Sequence, residues 1–249
     1  MEKRKVSRVA MGFIALVVLV IVLMFSNSLR RSSRITLPSA DSAAGQTDPD
    51  AAGGGDALTV IAVTPETVQA AVETLNRPGQ YSRVIRVEQF WGGGSGSFET
   101  TVTVSGRWTR TDRTLADGQT RHTITDGETT YIWYNSENTV YSGTAGEITP
   151  DDEQAIPTYE TILDLPVEDI AVADYRSVSD VNCIYVETAE DSLGYVQRYW
   201  VSVDTGLLVA SERLQDEETI YRMASLTVDL SVPSADRFIL PDGTVLLDG

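Results

Sequence analysis

The sequence predicts an α+β fold: a long, strongly curved antiparallel sheet with short helices on its concave face, placed after an apolar N-terminal helix. Three observations lead there. Residues 106–143 (GRWTRTDRTLADGQTRHTITDGETTYIWYNSENTVYSG) alternate apolar and polar positions and are cut by Asp117-Gly118, Asp126-Gly127 and the polar run 135–138, all strong hairpin signals. The same pattern returns in four runs, 178–188, 193–203, 207–214 and 219–230, with turns at Glu190-Asp191-Ser192 and Asp204-Thr205-Gly206. Helical periodicity is confined to short stretches, which cannot form a layer of their own and must cover an otherwise open apolar sheet face.

Taken in order, residues 1–8 form a basic tail with Lys3, Arg4, Lys5 and Arg8, and residues 9–25 (VAMGFIALVVLVIVLMF) are an uncharged apolar run. That run reaches the lower length limit for crossing a bilayer, about 17 residues. It reads as a transmembrane anchor or a signal segment, with the small residues Ser26 and Ser28 beyond it leaving cleavage open. The basic tail favours a single-pass protein at the cell membrane with an extracytoplasmic C-terminal domain, secreted or periplasmic if the segment is cleaved. No Cys follows the run, which excludes a lipobox. Residues 26–56 are rich in Ser, Ala, Gly, Asp and Pro without apolar periodicity, as a disordered tether is. The folded domain is expected over residues 57–249.

Within residues 57–249 stand 31 acidic and 12 basic residues, a net charge of −19, and every basic residue is Arg. This balance disfavours nucleic acid and anionic headgroups as partners, because both demand positive charge to replace counterions. About 190 residues suffice for one sizeable core.

Thr64-Pro65-Glu66 opens a short helix with Val68, Ala71, Val72 and Leu75 on one face, ended by Arg77-Pro78-Gly79. Strands are expected at 81–91 and 98–109, joined by the Gly-rich loop 92–97. In the second strand Phe98, Val102, Val104 and Trp108 are assigned to one face, and Glu99, Thr101, Thr103 and Arg107 to the other. Between the two strand groups, Ile156, Tyr159, Ile162, Leu163 and Leu165 indicate one helix lying on the sheet, and residues 167–173 a second. About eight strands and two or three helices result.

No catalytic constellation stands out, and no enzyme, metal or cofactor is expected. Asp204-Thr205-Gly206 matches the aspartic-protease triplet, but that reaction needs two carboxylates and the chain has one copy, placed where a hairpin must turn. His122 is the sole histidine and Cys183 the sole cysteine, too few for a His/Cys metal site and for an intrachain disulfide. The loop after Trp91 lacks the Lys-Ser/Thr ending of a phosphate cradle. The acidic runs 151–153 and 216–218 lack the alternating spacing of a calcium loop. The candidate residues are instead apolar. Val102, Val104 and Trp108, with Trp133, Trp200 and Leu226 on later strands, either line a ligand cavity or form packed core.

Gly106-Arg107-Trp108, the Thr125-Asp126-Gly127 turn into Thr130-Tyr131-Ile132-Trp133-Tyr134, Tyr199-Trp200-Val201 with the Asp204-Thr205-Gly206 turn, and the closing Phe238-Ile239-Leu240-Pro241-Asp242-Gly243 resemble, in order and spacing, the LolA/LolB-like lipoprotein-carrier superfamily. The resemblance spans most of residues 57–249. It implies an unclosed half-barrel with helices as a lid over an apolar cavity that takes a lipid or lipoprotein acyl chain. It also admits an alternative, a non-enzymatic scaffold that binds a cell-envelope enzyme or signalling protein, as RseB-like regulators and, more loosely, the GerS-like germination proteins of spore formers do. The Ile156-Pro157-Thr158-Tyr159 segment carries the looser GerS-like similarity.

Overall fold

The computed structural model describes residues 62–135 and 137–247. The expected tail, apolar segment and tether lie outside the described residues, and among the described ones no helix is long and apolar enough to cross a membrane. The described chain opens with α1 (Val68–Glu73) and then builds β1 (Gln80–Trp91), β2 (Gly94–Ser105), β3 (Trp108–Thr114), β4 (Thr120–Thr125), β5 (Thr129–Tyr134) and β6 (Tyr141–Thr144). A crossover carries α2 (Asp151–Gln154), α3 (Glu160–Leu163) and a 3-10 turn, Val167–Asp169. It leads to β7 (Ile170–Val178), β8 (Val181–Thr188), β9 (Tyr195–Ser202), β10 (Leu208–Gln215) and β11 (Glu218–Asp229).

All eleven strands form one open antiparallel sheet in the order β6-β5-β4-β3-β2-β1-β11-β10-β9-β8-β7. The chain therefore steps outward by hairpins from the middle to one edge, crosses to the opposite edge, and steps inward again. The first and last strands meet in the centre, where Val87 pairs with Met223 and Ile85 with Ser225. Ile85, Val87 and Met223 are fully buried there.

Four sequence expectations are corrected. The glycine-rich stretch is mostly strand: Trp91 pairs with Gly94, so only Gly92 and Gly93 turn, with φ +97° at Gly93. Gly94 and Gly96 are needed in β2 because the Trp91 indole lies across them, 3.0 and 3.2 Å from where a Cβ would stand. Residues 167–173 are not a helix. Only one 3-10 turn forms before Ile170, after which Val172 and Ala173 enter β7 and pair with β8. Ile170, Val172, Tyr175 and Val178 in this run are residue types that favour a strand. Third, the count of about eight strands rises to eleven, because the 106–143 region supplies four short strands and β7 adds another.

The last correction concerns Trp108. Residues 98–109 are not one strand, because the chain turns at Gly106, φ +58°, and Arg107, and Trp108 opens β3 opposite Ser105. The turn moves Trp108 to the sheet face opposite Val102 and Val104. There it packs with Tyr131, Val140, Leu246 and Leu247 around a buried cluster of Ile124, Trp133, Phe238 and Leu240. The chain end lies over this face as a small hairpin, with an Ile239–Val245 bridge and the Leu246 amide donating to the Phe238 carbonyl at 3.0 Å.

Charge anchors that end. The Asp112 carboxylate on β3 accepts from Arg110 at 2.8 Å, from His122 Nδ1 at 2.5 Å and from Arg237 of the closing segment. His122 stacks on Trp133 with ring centroids 5.1 Å apart, and Arg110 also donates to the Arg237 carbonyl at 2.6 Å. Burial would raise the Asp112 pKa, but the His122 hydrogen bond and the positive charges of Arg110 and Arg237 outweigh it and hold the carboxyl below its usual value.

Because the folded pKa is the lower one, this contribution is complete above about pH 4, the unfolded value, and is lost as pH falls through the folded value. Protection of the amides at residues 237–240 from hydrogen exchange, taken against the intrinsic rate at each pH, should fall in acid for the wild type and show a flatter pH dependence in Asp112→Asn. Phe238→Ala, which empties the centre of the cluster, should lower unfolding stability by about 4 kcal/mol in denaturant titrations.

Candidate functional site

Strand pairing decides which residues share the face crossed by residues 145–169. In antiparallel pairs opposed residues point the same way. Tyr81 pairs with Val104, Arg83 with Val102 and Ile85 with Thr100, and Val102 and Val104 pair in turn with Thr111 and Thr109. The series continues through Thr123 and Arg121 on β4. The crossover lies over these positions and is held by three attachments.

The first is an ion cluster. Arg121 donates to Asp152 at 2.8 Å and to Glu153 at 2.9 Å, Arg113 also pairs with Asp152, and Thr123 Oγ1 donates to Glu153 at 3.0 Å. Burial pushes the Glu153 carboxyl up, against the pull of Arg121 and Thr123. The second attachment is Gln69 of α1, whose Nε2 donates to the carbonyls of Ile162, Leu163 and Leu165 at 2.8–3.0 Å, the open end of α3. The third is Arg77, which donates to the Val72 carbonyl at 2.6 Å, closing the end of α1, and lies over the Tyr159 ring at 3.5 Å. The Asp204-Thr205-Gly206 triplet is the turn before β10, seated against this end of α1. Gly206 has φ +63°, and a Cβ there would stand 3.0 Å from the Asn76 carbonyl oxygen.

Beneath the crossover lies a cavity of about 300 Å³. Val102, Val104, Ile156, Leu207 and Leu208 supply its apolar wall, with Tyr81 and Tyr159 beside them. Arg83, Thr109, Thr111, Thr158, Glu153 and Glu160 supply its polar wall. The Ile156-Pro157-Thr158-Tyr159 strap divides this space from a neighbouring pocket of about 330 Å³ that Ala155, Pro157 and Thr161 line with Tyr199 and Tyr221. Ile156, Thr158 and Tyr159 face the first cavity.

The predicted site residues thus fall into three places. Val102 and Val104 line the cavity together. Trp108 and Trp133 pack beneath the closing segment on the opposite face. Trp200 and Leu226 line a cleft of about 440 Å³ on that opposite face, at the other half of the sheet, with Val181, Val209 and Ala210. Sequence reasoning missed Arg83, although a signal was present: in Tyr81-Ser82-Arg83-Val84-Ile85-Arg86-Val87 an arginine occupies the inward register of Tyr81, Ile85 and Val87.

Little here is poised for catalysis. Cys183 is fully buried in β8 and burial pushes its thiol up to about 12, an unreactive state. Among the described residues no group of three or more His, Cys, Asp or Glu side chains is placed to hold a metal.

No protein-family model matches the chain, and no curated protein does. Among solved structures the chain is similar to MucB in complex with MucA(peri), at 16% identity and TM-score 0.35, covering 70% of this chain and 57% of that one. It is similar to a LolA superfamily protein from Nitrosomonas europaea at 10% identity and TM-score 0.35, covering 70% and 97% of the two chains. The Mycobacterium tuberculosis lipoprotein LppX matches at 10% identity and TM-score 0.38, covering 68% and 94%.

Removing Arg121 leaves Asp152 and Glu153 facing the sheet without their main cation, a loss of about 3 kcal/mol for a partly buried pair. Arg121→Met should therefore raise amide exchange in the α2 segment by roughly a hundredfold, at about 1.4 kcal/mol per decade. Exchange in β8–β10 should stay unchanged.

Proposed function

We propose that this protein is a non-enzymatic binding protein, anchored to the cell membrane by residues 9–25, whose extracytoplasmic half-barrel holds the acyl portion of a lipid or lipoprotein beneath the crossover. One observation carries the reading: the cavity between the sheet and the strap has apolar walls of Val102 and Val104 on β2, Leu207 and Leu208 at β10, and Ile156 in the strap. Its size falls at the lower end for ligand pockets, roughly 300–1,000 Å³, which fits one chain better than two. The sequence resemblance to the LolA/LolB-like superfamily supports the same reading. The strap is held at its flanks by Gln69, Arg77 and Arg121, so a longer ligand would displace its middle while the ends stay fixed.

The open face supports a second reading, a scaffold for a cell-envelope protein. Trp200 and Leu226 line the cleft there, with Leu226 44% exposed. The cavity is preferred because residues of the crossover line it together with strand residues, whereas the open-face cleft is lined by the sheet and the Ser179 turn alone.

Native mass spectra of the full-length protein should show a reproducible excess mass that matches a lipid. In Val104→Trp, whose indole fills the cavity beside Tyr81, that mass should disappear from a folded protein. A bare polypeptide in both, persisting after incubation with membrane lipids, overturns the cavity reading in favour of the open-face scaffold.

A further inference from the structure

Arg83 is unlike the other buried arginines. Its side chain projects from the first half of β1 to the cavity wall and is only 6% exposed. Arg110, Arg113 and Arg121 each hold a carboxylate within ion-pair distance, and among the described residues Arg83 holds none. Its Nη1 donates to the Leu208 carbonyl at 3.0 Å, and its Nε, buried, has no hydrogen-bond partner, which is true also of Arg77, Arg113 and Arg121. The Tyr81 ring lies 5.9 Å away.

Such a guanidinium is costly. A buried charge is normally paired, because its desolvation is repaid only by an opposite charge with good geometry. Arginine has no neutral escape: burial pulls its pKa down, yet it stays cationic at any physiological pH. The chain does not lack acids, with 36 Asp and Glu residues in all. Two of them line this cavity, but Glu153 is committed to Arg121 and Thr123, and Glu160 is an exposed residue at the start of α3 that reaches Arg83 only through its longer-range field. Hydroxyl groups line the same cavity. Burial raises the Tyr81 pKa, which keeps that phenol protonated, and Thr109, Thr111 and Thr158 share the same wall.

We propose that Arg83 is the anion-recognition residue of the cavity, and that the ligand is a single-chain amphiphile whose carboxylate or phosphate head pairs with Arg83 while its chain lies along Val102, Val104 and Ile156. This assignment rests on the cavity reading above and makes it specific. Arg83 brings a planar guanidinium to the cavity wall, and such a group pairs closely with carboxylate and phosphate oxygens. The acidic surface around the cavity repels such anions at long range, so selectivity comes from the buried contact and affinity is added by the chain. The geometry also explains why an arginine tolerates this position without a partner: function, and not folding, retains it.

The test uses octanoate, octyl phosphate and 1-octanol as probes, titrated calorimetrically into the full-length protein in phosphatidylcholine nanodiscs, with empty nanodiscs as the blank. The wild type should bind both anions at least about tenfold more tightly than octanol, the smallest gain expected of a charge-assisted hydrogen bond. Tighter binding of octyl phosphate would assign a phospholipid source, and tighter binding of octanoate a free fatty acid. Arg83→Gln should bind all three probes equally, at the wild-type octanol affinity, and Arg83→Lys should keep part of the preference. With no ligand present, Arg83→Gln should unfold at a higher temperature than wild type, because an unpaired buried charge is gone.

Equal affinity of the wild type for octanol and the anions overturns the head-group assignment and leaves the cavity reading standing. An anion preference that survives Arg83→Gln, or a fall in unfolding temperature in that variant, overturns it as well by giving Arg83 a structural role through Leu208. Failure of every probe, octanol included, removes the cavity reading and this assignment together.

Discussion

The chain leaves the sheet at one edge after β6 and re-enters it at the opposite edge with β7, and this single traverse constrains the rest of the domain. Every other strand connection is a tight hairpin, which keeps the ladder antiparallel and leaves no freedom in the order of strands. The traverse has to lie on one face. A helix-bearing segment can satisfy its own backbone hydrogen bonds there while covering apolar strand positions, which an extended chain cannot do. Residues too few to blanket an eleven-stranded sheet then leave space between strap and strands, and the cavity is that remainder.

The two faces of the sheet are consequently handled by different physics. On the crossed face, buried apolar groups such as Ile184, Val186 and Val201 lie opposite α1 and α3, while a network of Arg113, Arg121, Asp152 and Glu153 secures the α2 end. On the open face, the half formed by β3–β5 is covered by the closing segment through Phe238 and Leu240. The other half carries an alternating ladder of charges: Glu187, Arg198, Glu212, Arg222 and Glu88 run across five adjacent strands at 2.7–4.0 Å. Pairs as exposed as these contribute little to stability, commonly under about 1 kcal/mol each. Their effect is on register and on solubility, since they give a bare sheet face a wetted, charge-balanced surface.

The buried charge of Arg83 sits at the meeting point of these constraints. It stands on β1, the strand that both halves of the sheet share, and its one hydrogen bond reaches Leu208 on β10 across β11. A group so placed samples the geometry of both halves at once. Among the described residues no carboxylate lies within ion-pair distance of it, and local departures from charge pairing of that kind belong to functional places more than to structural ones.

The antiparallel class, the helix at Val68–Glu73, the hairpin turns at Asp117-Gly118 and Asp126-Gly127 and the role of Asp204-Thr205-Gly206 as a turn were legible in the sequence, because each depends on short-range preferences of neighbouring residues. The pairing of Val102 with Val104 on one face was legible for the same reason. The facing of Trp108 was not: a two-residue turn at Gly106-Arg107 reverses which face a side chain meets, and period-2 reading carried across a turn inverts every later residue. The separation of Trp133 from Trp200 and Leu226, the capture of Asp112 by Arg237 across 125 residues of chain, and the solitude of Arg83 were decided by tertiary structure alone. Alternation along a strand tells which residues turn inward together, but what they meet there is set by which strands become neighbours and where the crossover lies, and neither is written in any local stretch of the chain.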